Sequence, residues 1–168
     1  NISYFQITAA DVTSTATVNG SFPIASKTTT LGGPSAGTVK VEKDGTLSNP
    51  SVGQLNSKIA QFKLTAGTGE DLSIRRVTLY ETGTMNNSYL TNLKLYQSTT
   101  LLASVASVTS KGYVVFDLAT PYTLSKNTNR IFYATADISG SARNADTIRT
   151  YFDQTTDLYA VGATYGYG

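Results

Sequence analysis

Histidine, cysteine and tryptophan are all missing from this 168-residue chain, so any chemistry must come from carboxylates, lysines, tyrosines and hydroxyls. Losing His and Cys together removes the commonest general base and the commonest soft nucleophile. Disulfides and thiolate metal sites go with them. Of the eleven acidic residues, the nearest groupings are Glu70-Asp71 and Glu42 with Asp44. A calcium loop needs oxygen ligands at a set spacing, and neither grouping has it. Two carboxylates could also run glycoside hydrolysis, but nothing singles out any pair. Solvated turn carboxylates are the reading these groups favour. The expectation is a protein that is not an enzyme, with no catalytic residue, no metal site and no cofactor.

Other residues could bind rather than react. Arg75-Arg76 could meet an anion, but the pair separates two alternating runs that are out of phase. Leu72 and Ile74 share one face, and Val77 and Leu79 regain it one residue late, as a β-bulge on a solvated strand would require. The net charge of +2, with Lys and Arg scattered, gives no basis for a nucleic-acid partner. Tyr4, Tyr89, Tyr96, Tyr159, Tyr165 and Tyr167 could stack on sugars. Without Trp, and with Tyr165-Gly-Tyr-Gly closing the chain, contact between subunits is the favoured role. Glycosylation sequons stand at Asn1, Asn19 and Asn86, about as many as chance gives in a Ser/Thr-rich chain. Asn19 and Asn86, in turns, are the candidates for glycan attachment.

The elements that must position these residues are strands. Charged residues make up only 14% of the chain, and Thr, Val, Tyr and Ile outweigh the strong helix formers. Fourteen glycines and four prolines punctuate short runs. Residues 2–8 and 11–18 read as strands, the second with Val12, Ser14, Ala16 and Val18 on one face. Residues 20–37 shift to Gly, Ser, Thr and Pro, with Gly32-Gly33-Pro34 a strong breaker, and read as a connector. Strands follow at 38–42, 58–65, 70–81, 92–96, 101–108, 112–118, 121–124 and 130–138. Ala60, Phe62 and Leu64, then Val114, Phe116 and Leu118, then Phe132, Ala134, Ala136 and Ile138 face inward. About ten short strands separated by turns are the signature of a sandwich. The expected fold is an all-β sandwich of Ig-like or jelly-roll type with an N-terminal strand extension. The expected divisions are the extension at 1–20, the connector at 21–37 and the sandwich at 38–168. No apolar run approaches the length that spans a bilayer, so the chain is not expected to span a membrane. No secretory leader is recognisable, and a secreted protein would have shed it.

The two ends of the chain resemble each other. Ile148-Arg-Thr-Tyr-Phe152 and Asp157–Gly166 echo Ile2-Ser-Tyr-Phe5 and Asp11–Gly20, at a spacing of about 146 residues with a one-residue slip. A chain that begins where it ends is one link of a head-to-tail array or carries a strand that substitutes for a neighbour's; the alternative is a chance match of two Thr/Ala/Tyr-rich strands. Within the body, Phe62-Lys-Leu-Thr-Ala66, Glu70-Asp-Leu-Ser-Ile74, Thr82-Gly-Thr84, Leu90-Thr-Asn-Leu-Lys-Leu-Tyr96 and Ala134-Thr-Ala-Asp-Ile-Ser-Gly140 form a recognisable set. With these, residues 62–140 resemble the β-sandwich repeat of bacterial and archaeal surface-layer-like and filamentous surface proteins. The added N-terminal strands look like those of archaeal pili and TasA-type biofilm fibres, which assemble by strand donation. The resemblance implies an extracellular, cell-surface location and a structural role. The function expected is a filament or surface-lattice subunit, a homopolymer of identical copies in which residues 2–18 complete a neighbour's sheet. Ile2, Tyr4, Phe5, Ile7, Val12, Ala16 and Val18 would be the donor anchors, and edges near residues 147–164 would receive them. The alternative is an adhesion or carbohydrate-binding module from a tandem-repeat surface protein.

Overall fold

The computed structural model describes residues 35–168, together with Gln6–Ile7 and Ile24–Ala25. The chain forms two compact units, Asn1–Pro34 and Ser35–Gly168. In the first, strand β1 (Gln6–Ile7) pairs antiparallel with β2 (Ile24–Ala25), Ile7 opposite Ile24. β2 falls in the stretch that composition assigns to the connector. Ile24 lies in a run rich in Gly, Ser and Pro, and pairing overrides the local composition.

The second unit is a β-sandwich. Its strands are β3 (Val39–Lys43), β4 (Ser57–Ala66), β5 (Leu72–Glu81), β6 (Leu90–Gln97), β7 (Thr100–Ser107), β8 (Tyr113–Leu124), β9 (Asn129–Ile138), β10 (Thr150–Tyr151) and β11 (Leu158–Gly162). One sheet has five antiparallel strands in the order β3-β4-β9-β6-β7. The other is narrower. β8 runs along one edge of β5, and β11 and β10 follow one another along the opposite edge, because Val77 and Tyr80 each have a partner on both sides.

Alternation drives the packing. Phe62 and Leu64 of β4, Ile74, Val77 and Leu79 of β5, Leu93 and Leu95 of β6, Val114 and Phe116 of β8, and Phe132 of β9 all point between the sheets and are buried. Each such side chain contributes about 1.5–3 kcal/mol relative to exposure. Phe62 stacks on Phe132 with ring centroids 5.7 Å apart, and Tyr122 meets Phe132 edge-on at 5.2 Å. The phase change read at Arg75-Arg76 is a bulge. Against β11, Ile74 pairs with Ala160 and Arg76 with Tyr159, so Arg75 is the extra residue; against β8 the surplus lies on the other strand, with residues 118–121 facing Arg75 alone. Pro121, lacking an N–H, falls inside that irregularity, and the two runs predicted at 112–118 and 121–124 are one bulged strand. Arg76 lies beside the Asp117 carboxylate as an exposed ion pair.

Asn56 and Asn92 take left-handed backbone conformations, with φ of 50° at each, which Asn tolerates better than most residues. Both hold Asp137: the Asn56 N–H donates to Oδ1 at 2.7 Å and the Asn92 amide to Oδ2 at 2.8 Å. The Asn56 N–H foremost, then the Asn92 amide, lower the Asp137 pKa against burial, and Lys94 adds to the effect. Asp137 thereby fixes where β4 and β6 meet the central strand β9. Among the described residues no helix is long and apolar enough to cross a membrane.

Candidate functional site

Among the described residues the five-stranded sheet is wider than the sheet that faces it, and they leave one side of the sandwich uncovered. Among the described residues β3 pairs only with residues 62–66 of β4. Among the described residues, the outer edge of β4 at 57–60 has no strand partner. On the facing sheet β10 supplies only two paired residues, opposite Tyr80 and Glu81. Between these edges lies a groove of about 470 Å³, lined by Val41, Leu47, Ile59, Phe62, Ile148 and Phe152 among others. Residues 148–152 cross it. Phe152 meets Phe62 edge-on at 4.9 Å, and the Thr150 hydroxyl donates to the Ile59 carbonyl at 2.7 Å. Val41 remains 37% exposed despite its apolar side chain. A short edge strand beside an apolar groove is a surface that pairs readily with another chain.

A buried carboxylate organises one end of the same unit. Glu70 is 3% exposed. Its Oε1 accepts the Gly37 N–H at 3.2 Å, and its Oε2 accepts those of Thr164 at 2.7 Å and Tyr165 at 3.0 Å. Gly162 is packed so closely on this carboxylate that a Cβ there would collide with it. The residues that lead into β3 and those that follow β11 are therefore tied to one side chain. The Tyr165 N–H foremost, then those of Thr164 and Gly37, hold the Glu70 carboxyl below its usual range against the opposing effect of burial. A lowered folded-state pKa stabilises the fold above the unfolded value near 4.5, and that contribution is lost as pH falls through the folded value. Glu70→Gln presents an NH₂ where three donors converge. It is expected to lower the urea midpoint at pH 7, with the gap to the parent closing as both are titrated below pH 4. A gap of constant size across that range would show that the Glu70 charge is not what holds the tail.

No family model, curated protein or solved structure matches the chain. The groove and the Glu70 clamp are the features from which function can be read.

Of the residues predicted as donor anchors, Ile2, Tyr4, Phe5, Val12, Ala16 and Val18 lie outside the described residues, and so does Asn19. Ile7 lies in β1, where its backbone pairs with Ile24. Asn86 is exposed and caps the 3-10 turn Asn87–Tyr89, its Oδ1 accepting from the Ser88 N–H and hydroxyl. The tyrosines do not gather into one platform. Tyr96 stacks on Tyr133 in the five-stranded sheet, while Tyr159 lies on β11 of the other and is 47% exposed. The acidic groupings are structural. Glu42 bridges Lys40 and Lys63, Asp44 accepts from Gln61, and Asp71 accepts the Lys126 N–H. Among the described residues acidic side chains nowhere gather in threes. The role of Glu70 was out of reach of sequence reasoning, since its donors are 33, 94 and 95 residues away. Its one local signal is an acidic residue just ahead of the apolar alternation of β5.

Proposed function

We propose that the chain is a structural subunit of an extracellular filament or surface lattice, built from identical copies by head-to-tail strand donation. The segment 2–18 of one copy enters the open side of the next copy's sandwich. The groove between β3 and residues 148–152 is the observation that carries this reading. It joins a strand edge that has no partner strand among the described residues to an apolar surface, the two things an added strand satisfies at once. The choice of occupant rests on the repeated ends of the chain. Ile148 and Phe152, which line the groove, belong to the segment Ile148-Arg-Thr-Tyr-Phe152 that the N-terminus echoes as Ile2-Ser-Tyr-Phe5. A sequence of that type already packs against Phe62.

The Glu70 clamp weighs against a string of modules joined end to end. Gly37 and Thr164–Tyr165 meet at one carboxylate, so both ends of the sandwich leave from the same place. A linear tandem array takes the chain in at one end and out at the other. Electron microscopy of the full chain under native conditions tests the proposal. Fibres or sheets repeating at about one domain length are expected, and monodisperse single particles at high concentration would overturn it.

A further inference from the structure

The groove face of β3 carries one charged side chain. In the register with β4, Val39, Val41 and Lys43 stand opposite Ala66, Leu64 and Phe62, which are buried between the sheets. Partners across a ladder share a face, so Lys43 is turned toward the groove with Phe62. It lines the groove, is exposed, and has no ion-pair partner among the described residues. The anions beside it are turned the other way. Glu42 stands opposite Lys63 and bridges Lys40 and Lys63. Asp44 Oδ2 accepts from Gln61 Nε2 at 2.7 Å, and Gln61 alternates with Phe62 onto the outward face. Across the groove, Arg149 alternates with Thr150, whose hydroxyl reaches the Ile59 carbonyl. Arg149 therefore faces outward with Tyr151, whose ring meets Tyr80 at 5.6 Å.

The segment that enters the groove is as sparing of charge. From Asn1 to Ser26 the only charged side chain is that of Asp11. An inward-pointing charge on an edge strand turns away uncharged strands, which would cover it without a partner. A strand that brings a carboxylate to the same place is admitted, and selectivity comes from the rejection as much as from the attraction. Such a pair also does what apolar alternation cannot. A period of two decides which face of a strand turns inward, yet a slide of two residues presents the same face again. The small side chains of Thr13-Ser-Thr-Ala-Thr17 do little to oppose that slide. A slide of two residues would carry Asp11 about 7 Å away from Lys43 and leave both charges unpaired.

We propose that Asp11 of one copy pairs with Lys43 of the next and sets the register of the donated strand. The partner at this face is thus a second copy of the chain, chosen by charge complementarity at one point of an otherwise apolar contact. A single polar pair that specifies register in an apolar seam is a well-attested use of such groups. This pairing rests on strand donation as the mode of assembly and decides where the donated strand stops.

Charge exchange in the full chain tests it, with assembly followed by sedimentation and electron microscopy. Lys43→Asp and Asp11→Lys, each alone, set like charges against each other at every junction. Each is expected to raise the concentration needed for fibres at least about tenfold, with the deficit narrowing as salt rises. Mixed in equal amounts, the two variants are expected to assemble close to the parent's concentration. Each then meets an opposite charge on the other, in a fibre whose subunits alternate, and recovery shows that both fold. The neutral variants Asp11→Asn and Lys43→Gln should each weaken assembly several-fold, and together no more than either alone. Three results would overturn the pair while leaving strand donation in place. They are fibres from either reversed variant at the parent's concentration, no recovery in the mixture, and additive losses from the neutral variants. A parent chain that forms no fibres at all would overturn strand donation and this pairing with it.

Discussion

Gly83→Ala is expected to destabilise the sandwich by about 3–5 kcal/mol, a large fraction of the roughly 5–15 kcal/mol that holds a domain of this size together. The cause is steric. A Cβ on Gly83 would overlap the Thr147 carbonyl oxygen and lie 2.6 Å from Glu81 Oε1. Neither neighbour can retreat cheaply. The Thr147 carbonyl accepts the Met85 N–H at 3.2 Å, and Thr84 and Thr147 hold each other through N–H-to-hydroxyl bonds of 3.0 and 2.9 Å. Glu81 is buried and accepts the Gly83 N–H at 2.6 Å. This knot carries β5 past its pairing with β10 and fixes the segment that lines the groove. Urea denaturation checks the prediction, with a lower midpoint and an unchanged slope expected. Gly140→Ala is the control, since a Cβ there meets nothing within 4 Å, and it should change stability by less than about 0.5 kcal/mol. Equal midpoints for the two variants would mean that the 82–85 and 147–149 segments part easily.

Removing residues 1–20 is expected to abolish assembly while leaving the sandwich folded. Residues 35–168 form a compact unit, and the buried core residues among those described all lie within it. The truncated chain should therefore keep the urea midpoint of the parent. Its polymer should vanish, because strand donation needs both the free edge and the segment that fills it. The missing segment supplied in trans, as a peptide of residues 1–20, should bind the truncated chain without restoring fibres, since a capped groove has no donor to pass on. Fibres of unchanged repeat from the truncated protein would rule out strand donation.

Local alternation made most of the sandwich legible. In β4, β8 and β9 the residues at Phe62, Phe116 and Phe132 announce the core face, because a period of two has only one way to bury them. The bulge at Arg75-Arg76 was readable for the same reason: a slipped phase needs an extra residue. What alternation cannot give is the partner of a side chain far along the chain. Glu70 reads as a turn carboxylate until the register brings Thr164 and Tyr165 to it. The groove was invisible for a related reason. That β3 stops at Lys43 and β10 at Tyr151 is a statement about where pairing ends, and strand ends depend on tertiary fit. Pairing of Ile24 with Ile7 was hidden by composition, since Gly, Ser and Thr around it argue for a linker.

Disulfide trapping tests the central claim most directly, and the absence of cysteine from the chain makes it clean. Val41→Cys places a thiol in the groove, and Tyr4→Cys, Phe5→Cys and Ile7→Cys place one along the donor segment. Mild oxidation of the groove variant mixed with each donor variant is predicted to give a covalent dimer for at least one register. The corresponding double variant should give a ladder of multimers. Ser110→Cys, exposed in the turn between β7 and β8 and outside the groove, should give neither. If none of the three donor positions cross-links to residue 41 above the level of the residue 110 control, the N-terminal segment does not enter this groove.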